Sequence, residues 1–435
     1  MISREGQMAD GNRATLDDLF RRAGVRRPDA LALIDPPNAE RITGRRPRSL
    51  TYAQADRAIS ALAARLRSFG LQTDAVVVIQ LANTVDSVVG LLGVLRAGMI
   101  AVPLPLLWRR QEMVAALAAI GAKAIIASAR IGTHAAVETA IEVAAELFPI
   151  RYVCGFGPDL PDGVVPLDDC IDAVSKEFFQ PAARPGQAGA HVAAMTFDMA
   201  GDRVTPLPRS HSELIAGGLA VFREADLAPD ATILSTISPG SFAGIAVTLV
   251  PWLLSGGTLV LHHGFDAAAF AEQIHALEPA AVVLPGPALM PLADAGLLDR
   301  ERGTNLALWR VAEQAAAAVR RPGKAPVVDI ASFGDATLVA ARRGSDGMPR
   351  PLPVDVASRR SGVTTVGFYR FRQSEIDAIV AAIDPTAIIA ALPDALLGER
   401  LAGSARDSAQ VNAALEARGA NALIAGAFHA RSIAA

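Results

Sequence analysis

The chain of 435 residues is half hydrophobic (51%) and one-fifth charged (20%), with a formal charge of −3 at pH 7. That length admits two or three domains around a sizeable core, and the composition excludes an intrinsically disordered chain. The near-neutral charge leaves no basic footprint for nucleic acid and no polybasic membrane patch, and two cysteines, Cys154 and Cys170, point to free thiols in a reducing cytoplasm rather than a disulfide framework.

Residues 1–14 are polar, lack the apolar centre of a secretory signal and read as a mobile arm. Ser49–Leu71 reads as a strand end and an amphipathic helix, with Leu62, Leu66 and Phe69 at helical spacing and Gly70 as the stop. The apolar run AVVVIQL (Ala75–Leu81) has the length and character of a buried parallel strand. A helix over Thr84–Met99 and a strand over Ile100–Pro105 follow, and Arg109–Ala122 with Lys123–Ser128 repeats the unit. Strand and helix in alternation predict α/β layers around mixed, mostly parallel sheets.

The middle of the chain continues this pattern. Ala231–Ser238, Thr258–His263, Ala280–Gly286 and Ala325–Ser332 read as strands, with a helix over Asp266–Pro279 between two of them. Gly244–Leu261 is uncharged over nearly a bilayer span, but Pro251 and the pair Gly256–Gly257 divide it into a buried helix, a turn and a core strand. His262 and His263 end a strand, where exposure is expected. Arg342–Gly362, dense in Gly, Pro and Arg, marks a boundary. The predicted organisation is therefore a large domain over 15–350, a linker over 351–371 and a small, truncated α+β domain over 372–435.

Particular motifs resemble those of the AMP-forming acyl-CoA synthetases and the wider adenylate-forming ligases. LTYAQADRAISALAARL, the Asn of QLANT, LRAG and AVPL stand in the family's order and spacing. PWLLSGGTLVLHHGFD, the turn FGDA (Phe333–Ala336) and the closing SEIDAIVAAIDPTAIIAALPDALLGERL resemble later family blocks. The resemblance implies a chemistry in which a carboxylate attacks ATP to give an acyl-adenylate, and a thiol then takes the acyl group. It implies ATP or AMP and magnesium as cofactors, a carboxylic acid or acyl group as substrate, and coenzyme A or a carrier-protein thiol as acceptor. An acyl carrier protein or a partner enzyme would be the protein partner. No nucleic acid and no membrane span are expected.

Carried onto this chain, the resemblance places the nucleotide at Thr196, Gly201, Arg203, Arg209, Ser210, His211, Phe333, Gly334 and Thr337, and the metal at Asp335. Ser241, Phe242 and Gly244 fall where relatives line the acyl pocket. The departures are large. MTFDMAGDRVTPLPRSH (Met195–His211) keeps one glycine of the phosphate loop and adds Asp198 and Asp202. A carboxylate about 5 Å from a phosphate charge costs about 3 kcal/mol at an effective dielectric near 20. Arg203 and Arg209 could offset it with bidentate contacts. Thr337 stands where the family places its metal acid, and the ribose and hinge motifs have no counterpart between Pro351 and Arg372. Lysine occurs only at 123, 176 and 324, so the small domain lacks the family's catalytic lysine. Each position also has a plainer reading: an ordinary surface loop, a turn-forming aspartate, core packing. Three functions remain open from sequence: a divergent working ligase, a pseudo-synthetase that binds an acyl group, a nucleotide or a partner, and an assembly subunit of a ligase complex.

Overall fold

A computed structural model describes residues 14–172, 179–199, 204–310, 323–350, 363–366, 369–394 and 398–429. The expected N-terminal arm, apart from Ala14, and most of the expected linker lie outside them.

Two large sheets organise the chain. One has eight strands in the spatial order Thr337–Arg342, Val327–Phe333, Thr304–Arg310, Ala281–Pro285, Ile233–Ser235, Leu259–Leu261, Leu31–Ile34 and Ser49–Thr51. The other has seven, in the order Val165–Pro166, Tyr152–Phe156, Ala124–Ser128, Val76–Gln80, Ile100–Pro103, Val192–Asp198 and Thr205–Ser210. Pairing is parallel through both interiors, while antiparallel strands close both edges of the first sheet and one edge of the second.

Side-chain alternation along the strands separates three apolar layers. Val77 and Ile79 face a central core shared with Ile233, Leu259 and Val283 of the other sheet, whereas Val78 joins an outer core with Ile125 and Trp108. Leu234, Val260 and Val282 face a third core on the far side of the eight-stranded sheet. Strands buried on both faces must be apolar on both, which is why they read as unbroken hydrophobic runs.

The helices between the sheets are explained by local chemistry. Thr51 caps the helix Tyr52–Ser68 by accepting from Gln54 N, while the Gln54 side chain accepts from Thr51 N. The T-Y-A-Q pattern is therefore a reciprocal capping box. Val85–Arg96 is buried on every face. The uncharged stretch forms a short helix Phe242–Gly244, a π-helical turn and the helix Val250–Ser255. Gly256 ends it at φ +67°, a left-handed conformation that glycine adopts without strain. Among the described residues no helix is long and apolar enough to cross a membrane.

Beyond residue 362 the chain builds a core of its own from Ile376, Val380, Ile389, Leu401, Val411, Leu415 and Phe428. It comprises two antiparallel hairpins, the helices Gln373–Ala381 and Ser408–Ala417, and an unanticipated short helix Ala422–Ala425, capped by Asn421. Tyr369 Oη accepts from Leu107 N at 3.2 Å, and Gly419 O accepts from Gln111 N at 3.2 Å, joining this unit to the loop after Ile100–Pro103 and to the helix Arg110–Leu117 that follows it.

Candidate functional site

The phosphate-loop remnant is an antiparallel hairpin at the edge of the seven-stranded sheet, Val192–Asp198 paired with Thr205–Ser210. Gly201 and Arg203, which fall between these strands in the sequence, lie outside the described residues. The other expected ligands sit on or just after its strands. Thr196 is buried, and Arg209 pairs with Ala194 across the ladder. Ser210 caps the helix His211–Glu224: its Oγ accepts from Glu213 N at 3.2 Å, and Glu213 Oε2 accepts from Ser210 N at 2.8 Å.

His211 is buried, and its Nδ1 accepts from Leu16 N at 3.2 Å. Burial pushes its pKa down to about 4, so the imidazole is neutral near pH 7 and keeps that acceptor lone pair. Leu16 opens the first helix, whose Thr15 cap leaves that amide free to donate outward. The S-H pair is thus committed to a helix cap and to an anchor between two helices.

The Phe333–Thr337 segment is the tight turn of the hairpin Val327–Phe333 with Thr337–Arg342, at the edge of the eight-stranded sheet. Gly334 takes φ +60°, and Ala336 N donates to Phe333 O at 3.2 Å. Thr337 is exposed at the start of the return strand.

Arg209 links the two sheet edges. Its Nη2 donates to Asp335 O at 2.5 Å and to Ala336 O at 3.0 Å, and its guanidinium lies 4.7 Å from the centre of the Phe242 ring. The Asp335 carboxylate is buried and turned inward; Oδ1 accepts from Phe242 N at 2.9 Å. Asp335 N donates to Asp198 Oδ1 at 3.4 Å. Asp335 Oδ2 and the nearby Thr196 Oγ1 are both buried, and neither completes a well-formed hydrogen bond. Ser241 caps its short helix by accepting from Gly244 N at 3.0 Å. Sequence-expected nucleotide, metal and pocket residues therefore do converge, but in one packed knot of mutual contacts. Among the described residues no group of three or more His, Cys, Asp or Glu side chains gathers to hold a metal.

Burial pushes the Asp335 pKa up to about 6, against the opposing pull of the Thr196 hydroxyl, the Phe242 amide and Arg209. The folded chain binds this proton more tightly than the unfolded one, so the stabilisation is complete below the ordinary carboxyl range and is lost as pH rises through about 6. Asp335→Asn, which retains an acceptor for Phe242 N, is expected to gain on the parent chain by about 2–3 kcal/mol between about pH 4 and pH 7. Urea melts at both ends of that range measure it; a stability difference independent of pH would refute a buried, protonating Asp335.

One expectation is corrected. Neither strand-end histidine is exposed: His263 is half-buried, and His262 is buried, where its Nδ1 meets Gln273 Oε1 at 2.7 Å and its Nε2 accepts from Asp266 N at 3.3 Å. It ties the strand Leu259–Leu261 to the next helix. Position at a strand end does not show that the following helix folds back over it. Cys154 and Cys170 are free and buried.

Residues 20–155 match the family model described as AMP-binding enzyme. Among solved structures, apo MbtA from Mycobacterium smegmatis is 19% identical with a TM-score of 0.62, covering 96% of this chain and 91% of its own. NpsA-ThdA from Klebsiella oxytoca, an artificially fused adenylation–PCP di-domain, is 14% identical with a TM-score of 0.66, covering 94% of this chain and 92% of its own. The anthranilate CoA ligase AuaEII, in complex with anthranoyl-AMP, is 13% identical with a TM-score of 0.62, covering 90% and 86%. No curated protein matches the sequence significantly. The chain therefore shares the fold of these adenylation and CoA-ligase structures over nearly its whole length, and its residues 20–155 are similar to the AMP-binding enzyme family.

Proposed function

We propose that this chain is an acyl-CoA synthetase-like protein whose activation of carboxylic acids through an acyl-adenylate is much reduced or lost. The observation that carries the reading is Arg209. The described cation best placed to meet a triphosphate donates instead to the carbonyls of Asp335 and Ala336 and lies over Phe242. Asp335, the expected metal ligand, is turned inward onto Phe242 N. These residues do not fit a triphosphate and its metal, because their donors and acceptors already serve one another. The last lysine, Lys324, sits on the surface beside Glu301. Removing one preorganised cation from such a transition state typically costs a few kcal/mol, or hundreds-fold in rate.

The same reading assigns residues 15–350 to the synthetase-like body, 351–371 to a segment in place of the hinge, and 372–435 to a reduced C-terminal domain. The separate apolar core between residues 366 and 428 supports it. The specific alternative within the reading is a pseudo-synthetase that binds an acyl group, a nucleotide or a protein partner. Anthranoyl-AMP in AuaEII and the fused PCP of NpsA-ThdA suggest an acyl chain and a carrier protein as those ligands.

The test is pyrophosphate release from MgATP, with hydroxylamine trapping, across short, long and aromatic carboxylates. No carboxylate-dependent release is expected. Carboxylate-dependent release that disappears in Arg203→Ala would overturn the reading and make that arginine the working cation of the loop.

A further inference from the structure

The small unit beyond residue 362 docks on the loop Leu104–Arg109 and on the first turn of the helix Arg110–Leu117. The loop leaves the carboxyl end of Ile100–Pro103, a parallel strand of the seven-stranded sheet.

Part of the contact joins two helix ends. Gln111 N, at the start of its helix, has no carbonyl within that helix to meet. It donates instead to Gly419 O at 3.2 Å, just past the end of Ser408–Ala417. Beside it, Arg110 Nη2 donates to Arg418 O at 3.3 Å. The amino end of one helix thus meets the carbonyl end of the other, the favourable arrangement of their dipoles. Gly419 takes φ +68°, and a Cβ there would stand 2.9 Å from Arg110 Cβ. Glycine alone permits that approach without strain. Tyr369 enters from another segment of the small unit. Its ring packs against the outer core that holds Trp108 and Phe197, and its Oη accepts from Leu107 N at 3.2 Å. Leu107 O accepts from Ala422 N at 3.5 Å. Both backbone polar groups of Leu107 are therefore met by the small unit.

We propose that the small unit is a fixed brace for the candidate site, held in one orientation on the body by Tyr369 and by the end-to-end contact at Gly419. Trp108, next to Leu107, is 1% exposed, and its ring centre lies 5.3 Å from that of Phe197. Phe197 stands between Thr196 and Asp198 on the hairpin strand, and Asp198 Oδ1 accepts from Asp335 N. The small unit thus fixes the loop, and the loop backs the hairpin. A unit that swung away would leave the Leu107 and Gln111 amides without these acceptors and would pull an aromatic ring out of the outer core. The inference holds whether or not the chain activates carboxylic acids.

Hydrogen exchange of the full chain without ligand, read by mass spectrometry with fragmentation to single amides, tests it. The Leu107 and Gln111 amides are expected to exchange slowly in the parent chain. Tyr369→Ala removes the aromatic plug. Gly419→Val places a side chain where Arg110 stands and takes none from the small core. Each variant should speed exchange at Leu107 and Gln111 together by at least about tenfold, with Val192–Asp198 following, while Val411–Leu415 stay slow. Exchange at Leu107 and Gln111 as fast as an open loop in the parent, or acceleration confined to each variant's own contact, overturns the fixed docking. Acceleration at Leu107 and Gln111 with Val192–Asp198 unchanged overturns the brace.

Discussion

Arg96→Met is expected to destabilise the chain by about 3–5 kcal/mol, the usual cost of stranding one member of a buried ion pair. Arg96 is fully buried at the end of Val85–Arg96. Its Nε and Nη2 donate to Asp17 Oδ1 at 3.0 and 2.8 Å; its Nη1 serves Ser60 Oγ at 2.8 Å and Asp56 Oδ1 at 2.7 Å. One guanidinium thus fastens the first helix and Tyr52–Ser68 to the central helix. Methionine fills similar space but leaves Asp17, itself 4% exposed, without its cation. Urea denaturation measures the loss, and adding Asp17→Leu should recover most of it, because burying no charge costs less than burying one. A loss under about 1 kcal/mol would show that the pair is not what holds these helices. The arginine of the LRAG motif is therefore explained as a structural tie.

Gly244→Val should cost about 3 kcal/mol and disturb the candidate site as a unit. A Cβ at this position would stand 2.2 Å from Ser238 O, a backbone atom that cannot rotate away. The strain would fall on the short helix whose first amide holds Asp335 and whose Phe242 ring lies against Arg209. Ser241→Ala, which removes only the cap to Gly244 N, should cost about 1 kcal/mol. Thermal melts of the two variants check the ranking; equal losses would mean that the cap, not the close approach of Gly244 to Ser238, fixes this helix.

Much of the fold was legible because its signals are local. Thr51 and Gln54 are three residues apart, and a capping box needs nothing else. VVVIQ declares a strand buried on both faces, and the Gly256–Gly257 turn requires only a left-handed residue at the right place. The first helix carried the same kind of mark in Thr15 and Asp18, although it was not anticipated. The small C-terminal helix was missed because a single Asn cap before four residues is a weak signal.

The site was legible only as an inventory. Sequence placed Thr196, Arg209, Phe242, Gly334 and Asp335 among the chemistry-bearing positions, and they do meet. What each does depended on partners far away in the chain. Arg209 faces Asp335, 126 residues on; His211 faces Leu16, 195 residues back; Arg45 faces Asp86 and Asp168. Sequence alone determined the layered α/β scaffold and the absence of lysine from residues 325–435, since periodicity, caps and composition act within a few residues. Only the tertiary structure decided that Arg209 and Asp335 are turned onto the protein itself, because a side chain's partner is set by the docking of two sheet edges, which no local spacing encodes.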